Sequence, residues 1–161
     1  MVEVLIGIGS NFEPESALRA ALAALGQRYG GLVCSSVYRG PASGVPAADY
    51  LNMVAKGATA ADVDTLRAEL ASIETATGRT RADPRVCRLD LDLLTYGSRV
   101  DAMQRLPPPG LYTLPFVLVP LAEIAPSLEH PLTGERCAAA LAARTLSRQL
   151  ENLGELAALG D

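Results

Sequence analysis

In Leu89-Asp90-Leu91-Asp92-Leu93 two carboxylates alternate with three leucines. A strand sends successive side chains to opposite faces, so Asp90 and Asp92 share one face and the leucines take the other. Residues at i and i+2 on a strand lie about 7 Å apart, and carboxylates at that spacing can converge on a hard cation such as Mg2+, which prefers oxygen ligands. The polar face of any half-buried strand shows the same alternation. What sets this strand apart is the segment before it, residues 79–88, where Arg79, Arg81, Arg85 and Arg88 stand with Asp83 and Pro84 in a stretch without apolar period. Cations beside a carboxylate pair are the groups needed to hold a polyphosphate with its metal, although a solvated loop accounts for such arginines equally well. Tyr50 and Asn52 stand at i and i+2 on another apolar stretch and share a face there. An aromatic plane beside an amide that both donates and accepts suits a flat heterocycle, while core packing by Tyr50 and a satisfied Asn52 is the plainer alternative. Phe116, one of two phenylalanines, has the same two readings. Gly9-Ser10-Asn11 could offer backbone N–H groups to an anion, but turns are made of these residues in any case.

Elements must position these groups. Residues 2–8 form an apolar, β-branched run ending in Gly9-Ser10-Asn11, a strand and a turn. After Pro14, Ala17, Leu18, Ala21, Leu22 and Leu25 fall at helical spacing up to the glycines at 26, 30 and 31. Strands are expected over 32–39 and 50–58, separated by a Gly/Pro/Ser loop at 40–48. From Asp62, Val63, Leu66, Leu70, Ile73 and Ala76 mark a second helix ended by Gly78. The basic loop then feeds the Asp-bearing strand. Pro107-Pro108-Pro109 implies an extended, polyproline-like connection over 97–110. Residues 116–124 read as partly helical with Pro120 starting or breaking a turn, and the Ala/Leu-rich tail 135–159 has helical spacing. His130 lacks an evident partner and is expected at the surface. The order β-α-β, β-α-β, with helices on one face of a mainly antiparallel sheet, indicates an α+β sandwich of ferredoxin-like type.

The whole chain of 161 residues reads as a single domain, 1–161, with no linker or repeat. At 49% hydrophobic and 20% charged residues it can bury a core and is not globally disordered, and with 4% aromatics and no Trp that core must be built mainly from Ala, Leu and Val. A net charge of −4 argues against nucleic acid or an anionic membrane as a partner. Three cysteines without CxxC spacing and a single histidine make a disulfide framework or a Cys/His zinc site improbable. No apolar stretch is long enough to span a bilayer and no basic segment precedes the first apolar run, so the expected compartment is the cytoplasm.

The ordered set IGIGSN, VYRGPASG, DYLN, IETATGRTR, RLDLDLLTYG and PLAEIAP resembles the 6-hydroxymethyl-7,8-dihydropterin pyrophosphokinases of folate biosynthesis over about four-fifths of the chain. The resemblance implies transfer of the pyrophosphoryl group of ATP to the hydroxymethyl oxygen of the pterin, leaving AMP, with two Mg2+ ions held by Asp90 and Asp92. It implies that Tyr50, or its surroundings, and Phe116 enclose the pterin ring while Asn52 reads its edge. Glu74, Arg79 and Arg81 would line the nucleotide side, with Arg79 and Arg81 the leading catalytic cations. Two departures stand out. The family usually carries an Arg two residues before the leucine of LDLD, in a Trp-Gly-Pro-Arg-Thr-type run, whereas this chain has Pro84-Arg85-Val86-Cys87-Arg88-Leu89. One step along a strand reverses the face, so Arg88 replaces the displaced Arg only if the backbone bulges or the loop moves it. The family also has Pro-His-Tyr and then an Arg before the aromatic that matches Phe116, whereas this chain has Pro107-Pro108-Pro109-Gly110-Leu111 and Leu114-Pro115-Phe116. Three functions therefore stand side by side: the pyrophosphokinase, expected to act as a monomer or weak homodimer on ATP and pterin alone; a pterin-binding paralogue with weak or no kinase activity or another pterin; and an interaction module that keeps only the fold.

Overall fold

The computed structural model describes residues 1–160. In chain order the elements are β1 (Val2–Ser10), α1 (Pro14–Tyr29), β2 (Val33–Cys34), β3 (Tyr38–Gly40), β4 (Tyr50–Thr59), α2 (Val63–Ala76), β5 (Asp90–Tyr96), α3 (Pro115–Ile124), α4 (Cys137–Arg144) and β6 (Glu151–Asn152). The six strands make one sheet in the order β5-β1-β4-β3-β6, with β2 also paired to β4. Every pairing in it is antiparallel. This is the α+β, ferredoxin-like arrangement expected from the chain, with one correction to its layering.

The helices occupy both faces, not one. Val4, Ile6 and Ile8 of β1 pack with Leu51 and Met53 of β4, Leu91 and Leu93 of β5, and the apolar stripes of α1 and α2. On the opposite face Leu5, Val54 and Leu94 pack against Val117, Leu118 and Leu121 of α3 and Cys137 and Ala140 of α4. The central strand β1 is apolar on both faces over its first half, so it calls for a cover on each side. Asp62 caps α2 by accepting from the Thr65 N–H at 2.8 Å, and Pro14 opens α1, where a missing N–H costs nothing.

β5 does not alternate throughout. Leu5 pairs with Thr95 and Ile6 with Leu93, so the register skips Leu94. This β-bulge places Leu94 in the α3/α4 core, and after it Tyr96 packs against the α1/α2 core.

Other expectations are revised. The strand expected at 32–39 is two short ones, because the Ser35 hydroxyl accepts the Val54 N–H and Val37 exchanges backbone hydrogen bonds with Gly154 and Leu153 of the tail. The 97–110 segment folds back on itself: Asp101 and Leu106 exchange two backbone hydrogen bonds, of 2.8 and 2.9 Å. α3 runs unbroken through Pro120, which leaves the Phe116 carbonyl without its i+4 donor. The tail is α-helical only over Cys137–Arg144, with short 3-10 turns at Leu146–Gln149 and Leu156–Ala158. Thr145 at φ 50° ends that helix, and the chain then supplies β6 and returns Leu156 to the α1/α2 core. His130 is half-buried with its ring edge-on to Tyr112, centroids 4.9 Å apart. Among the described residues no helix is long and apolar enough to cross a membrane.

Candidate active site

The register across three strands builds the site. Gly7 of β1 pairs with Asp92 on one side and Val54 on the other, and Gly9 pairs with Asp90 and Asn52. Two glycines thus form a floor without side chains, with the carboxylates along one flank and Asn52 along the other. A methyl at Gly9 would lie 2.5 Å from the Asn52 Oδ1 and 3.7 Å from the Tyr50 Cδ1, so only glycine leaves Asn52 in place. Gly7, Gly9, Asn52, Asp90, Asp92 and Phe116 line one small recess. Asn52 makes no side-chain hydrogen bond with any described residue and keeps its donors and acceptor for a ligand. Burial pushes the Tyr50 hydroxyl up to about 12, with the neighbouring Cys87 and the Asp90 charge adding to the effect.

The recess opens beside a larger cleft of about 650 Å³, lined by Asp90, Asp92, Leu93, Phe116 and the prolines and glycine at 108–110. Asp92 keeps contact with solvent, yet the surrounding protein desolvates it and Asp90 adds like charge, which together push its carboxyl up to about 6. A cation would relieve that repulsion. Among the described residues no group of three or more His, Cys, Asp or Glu side chains is arranged to hold a metal. Two carboxylates suffice for Mg2+, which is ordinarily held by one or two of them while water and phosphate oxygens complete its shell. The donor set fits that ion and not structural zinc.

The end of α2 fixes the start of β5. The Glu74 Oε1 accepts the Leu91 N–H at 2.7 Å and Arg79 Nη1 at 2.9 Å, and the same nitrogen donates to the Leu89 carbonyl at 2.9 Å and to the Asp90 Oδ1 at 2.6 Å. Desolvation raises the Glu74 carboxyl, against the Leu91 N–H and the Arg79 charge. Glu74 and Arg79 are mostly buried, with 16% of each side chain exposed, so they orient Asp90 from below and do not line the larger cleft. Arg81 is exposed on the loop and acts on Glu74 through its charge. Arg88 lies at a bend and places its guanidinium 4.2 Å from the centroid of the Phe12 ring. The structure therefore gathers Tyr50, Asn52, Asp90, Asp92 and Phe116, seats Glu74 and Arg79 beneath them, and leaves Arg81 and Arg88 to either side.

Sequence reasoning missed the glycine floor, whose signal was the two-residue spacing of Gly7 and Gly9 within a strand. It also undervalued Asn11. That side chain donates to the Arg85 carbonyl at 2.7 Å and to the Ala48 carbonyl at 3.5 Å and accepts the Cys87 N–H at 2.7 Å, so it ties the basic loop and the 40–48 loop to the end of β1. The N–H groups of this turn are already used, Asn11 on the Cys87 carbonyl and Phe12 on the Ser10 Oγ, which removes the anion site considered for it.

Comparison with known proteins bears on the family and the fold. The model of a family described as 7,8-dihydro-6-hydroxymethylpterin-pyrophosphokinase matches residues 5–126. The chain is 40% identical over 139 residues to the 2-amino-4-hydroxy-6-hydroxymethyldihydropteridine pyrophosphokinase of Synechocystis sp., covering 81% of this chain and 70% of that protein. With the enzyme of the same name from Haemophilus influenzae it shares 38% identity over 138 residues, covering 81% and 86%. Among solved structures, an HPPK-DHPS protein crystallised with substrates superposes with a TM-score of 0.76 over 94% of this chain at 9% identity. A Plasmodium falciparum HPPK-DHPS triple mutant gives 0.75 over 94%, also at 9%. This chain spans about half of those two proteins, 48% and 46%, and at such identity the likeness concerns the fold. By the extent of the family match and the identity to its curated members, the chain belongs to the 7,8-dihydro-6-hydroxymethylpterin-pyrophosphokinase family.

Proposed function

We propose that this protein transfers the pyrophosphoryl group of ATP to 6-hydroxymethyl-7,8-dihydropterin. The observation that carries the reading is the glycine-floored recess, which sets Asp90 and Asp92 directly across from an unengaged Asn52 and beside Phe116. In the reaction the hydroxymethyl oxygen bonds to the β-phosphorus of ATP, the bond from that phosphorus to the α,β-bridging oxygen breaks, AMP leaves, and the hydroxyl proton passes to solvent. Tyr50 and Phe116 would flank the pterin ring and Asn52 would pair with its hydrogen-bonding edge. Asp90 and Asp92 would hold Mg2+, two ions as in the family, and bound Mg2+ supplies neutralisation of the phosphate charge. Arg79 keeps the Asp90 carboxylate oriented, since its guanidinium is committed to Asp90 and Glu74. Arg81, free of the cleft wall, would reach the nucleotide when the loop closes over it, and Arg88 would do so only after leaving Phe12.

A second reading has its own support. At the positions where family members carry His and Arg, the cleft is walled by Pro108, Pro109 and Leu114. That favours a pterin-binding relative with weak or no kinase activity, or one acting on another pterin. The deciding experiment follows AMP formation from ATP, Mg2+ and the pterin, with the Asp90→Ala/Asp92→Ala variant as control. Turnover by the wild type alone supports the kinase. Pterin binding without AMP supports the second reading.

A further inference from the structure

A second cavity lies on the sheet face that carries the active site, at the opposite end of β1 and β5. It encloses about 420 Å³, and its lining includes Glu3, Thr95, Leu128, Glu129, His130 and Pro131. Leu5 pairs with Thr95 beyond the bulge at Leu94, and Glu3, two residues before Leu5, shares its face. Leu5 therefore stands between this cavity and Gly7 of the catalytic recess, inside the α3/α4 core. The 129–136 turn supplies another wall, closed by the His130 N–H on the Glu135 carbonyl and the Gly134 N–H on the His130 carbonyl, each at 2.8 Å. Thr95 singles the cavity out. Four serine and threonine side chains are buried among the described residues. Ser10 donates to the Cys87 carbonyl at 3.3 Å, Ser35 accepts the Val54 N–H at 2.9 Å and Thr59 accepts the Ala61 N–H at 3.0 Å. Thr95, 4% exposed, makes no side-chain hydrogen bond with any described residue, and the little surface it retains lines this cavity.

A buried hydroxyl with no partner costs free energy until a ligand atom bonds to it. The charge around it fixes the sign of that ligand. Glu3 forms no ion pair with a described residue. Glu129 meets only Arg136, at 3.8 Å, through side chains 65% and 68% exposed, and so exposed a pair contributes little. Glu135 on the same turn is held by two hydrogen bonds from Arg144, of 2.8 and 3.1 Å. His130 accepts the Leu132 N–H on Nδ1 at 3.2 Å, and burial disfavours its charged form, so it offsets neither Glu3 nor Glu129. An ammonium group has three donors and no acceptor, which matches two carboxylates at the rim and the Thr95 Oγ1 beneath them. A bare metal ion would leave the apolar surface of Leu128 and Pro131 uncovered, whereas a short hydrocarbon body covers it, and the volume is that of a small-ligand cavity. We propose that this cavity binds a small organic cation, a primary ammonium on a short apolar body, at a site separate from the catalytic recess. Such binding is independent of the reaction the recess performs.

The test is an NMR titration of the backbone amides at neutral pH with three probes of one chain length: n-butylammonium, n-butanol and butyrate. The ammonium should give saturable shifts in residues 95–98 and 128–134. The neutral alcohol, which lacks the charge-assisted contacts, should bind about tenfold more weakly or worse, and butyrate should not bind. Thr95→Val keeps the shape of the side chain and removes its hydroxyl, and Glu3→Gln removes one charge. Each should weaken n-butylammonium by about tenfold. Glu3 is exposed, so its variant reports even if the exchange at Thr95 disturbs β5. The absence of saturable shifts overturns the proposal, as do shifts confined to other residues or equal affinity for the ammonium and the alcohol. Undiminished binding in Glu3→Gln, or in a folded Thr95→Val, overturns it as well.

Discussion

One wall of the site is built by strands and the other by loops. Gly7, Gly9, Asn52, Asp90 and Asp92 are placed by the β4-β1-β5 ladder, where backbone pairing on both sides of β1 sets each position. The segments at 79–88 and 97–114 lack such a ladder: the first is tied to β1 by Asn11 and to α2 through Glu74 and Arg79, and the second is held by the Asp101–Leu106 backbone pair and the burial of Leu106, Leu111 and Tyr112. Both departures from the family pattern fall in the loop wall. A ladder tolerates no slip, because one residue of shift exchanges the faces. A loop has no such constraint, so its residues can change without moving the strands.

The largest effect should come from the strand wall. Asp90→Ala/Asp92→Ala should cost at least about 10²-fold in turnover in a chain that still folds, with only a modest fall in melting temperature, because Arg79 loses Asp90 but keeps Glu74. Turnover within a few-fold of wild type would show that the strands do not carry the chemistry. Next is Gly9→Ala, whose methyl must displace Asn52. A displaced Asn52 leaves the ring edge without its hydrogen bonds, worth about 1–3 kcal/mol, so pterin affinity by calorimetry should drop by about tenfold or more with affinity for the ATP analogue kept. Equal losses for both ligands would erase the distinction between the walls.

On the loop wall, Asn11→Ala removes the bonds to Arg85 and Cys87. It should lower stability in urea by about 1–3 kcal/mol and speed proteolytic cleavage within 79–88, and an unchanged cleavage rate would mean that the loop is held elsewhere. The smallest effect concerns pH. The folded state holds the Asp92 proton up to about pH 6, against an ordinary carboxyl value of 3.8, so it binds more protons than the unfolded chain across that window. Without divalent ions, wild-type stability should therefore decline as pH rises from about 4 to about 6. Asp92→Asn should lack that decline, and Mg2+ should offset it in the wild type alone. Parallel curves for the two proteins would reject the crowded-carboxylate picture.

How much of this was legible in the sequence follows the same division. Period-two alternation in 89–93 and helical stripes in α1 and α2 report burial directly, so the main strands, the two long helices and the carboxylate pair were readable. Gly7 reads as part of an apolar run and Gly9 as the start of its turn, because the absence of a side chain has no hydropathy and its meaning lies in what stands across the ladder. Thr95 continues the run of β5, and nothing local shows that the 129–136 turn closes a cavity over it. The tail misled for a related reason. Ala and Leu at helical spacing favour helix locally, but β3 needed an edge partner and the α1 core needed Leu156, and those long-range demands prevailed over 145–159.

The bulge at Leu94 bears on how the chain tolerates change. Side-chain parity along β5 is even for the cleft before that point and odd after it. A strand that slid along β1 by two residues would keep its parity everywhere except at this phase change, where Leu94 and Thr95 would meet the wrong partner. The extra residue thus acts as an index mark: it distinguishes the one alignment that puts Asp90 opposite Gly9 from every translation that the leucine pattern alone would accept. Deleting Leu94 should leave a sheet that still forms but has lost its origin, with the carboxylates free to be displaced from the glycines by whole steps.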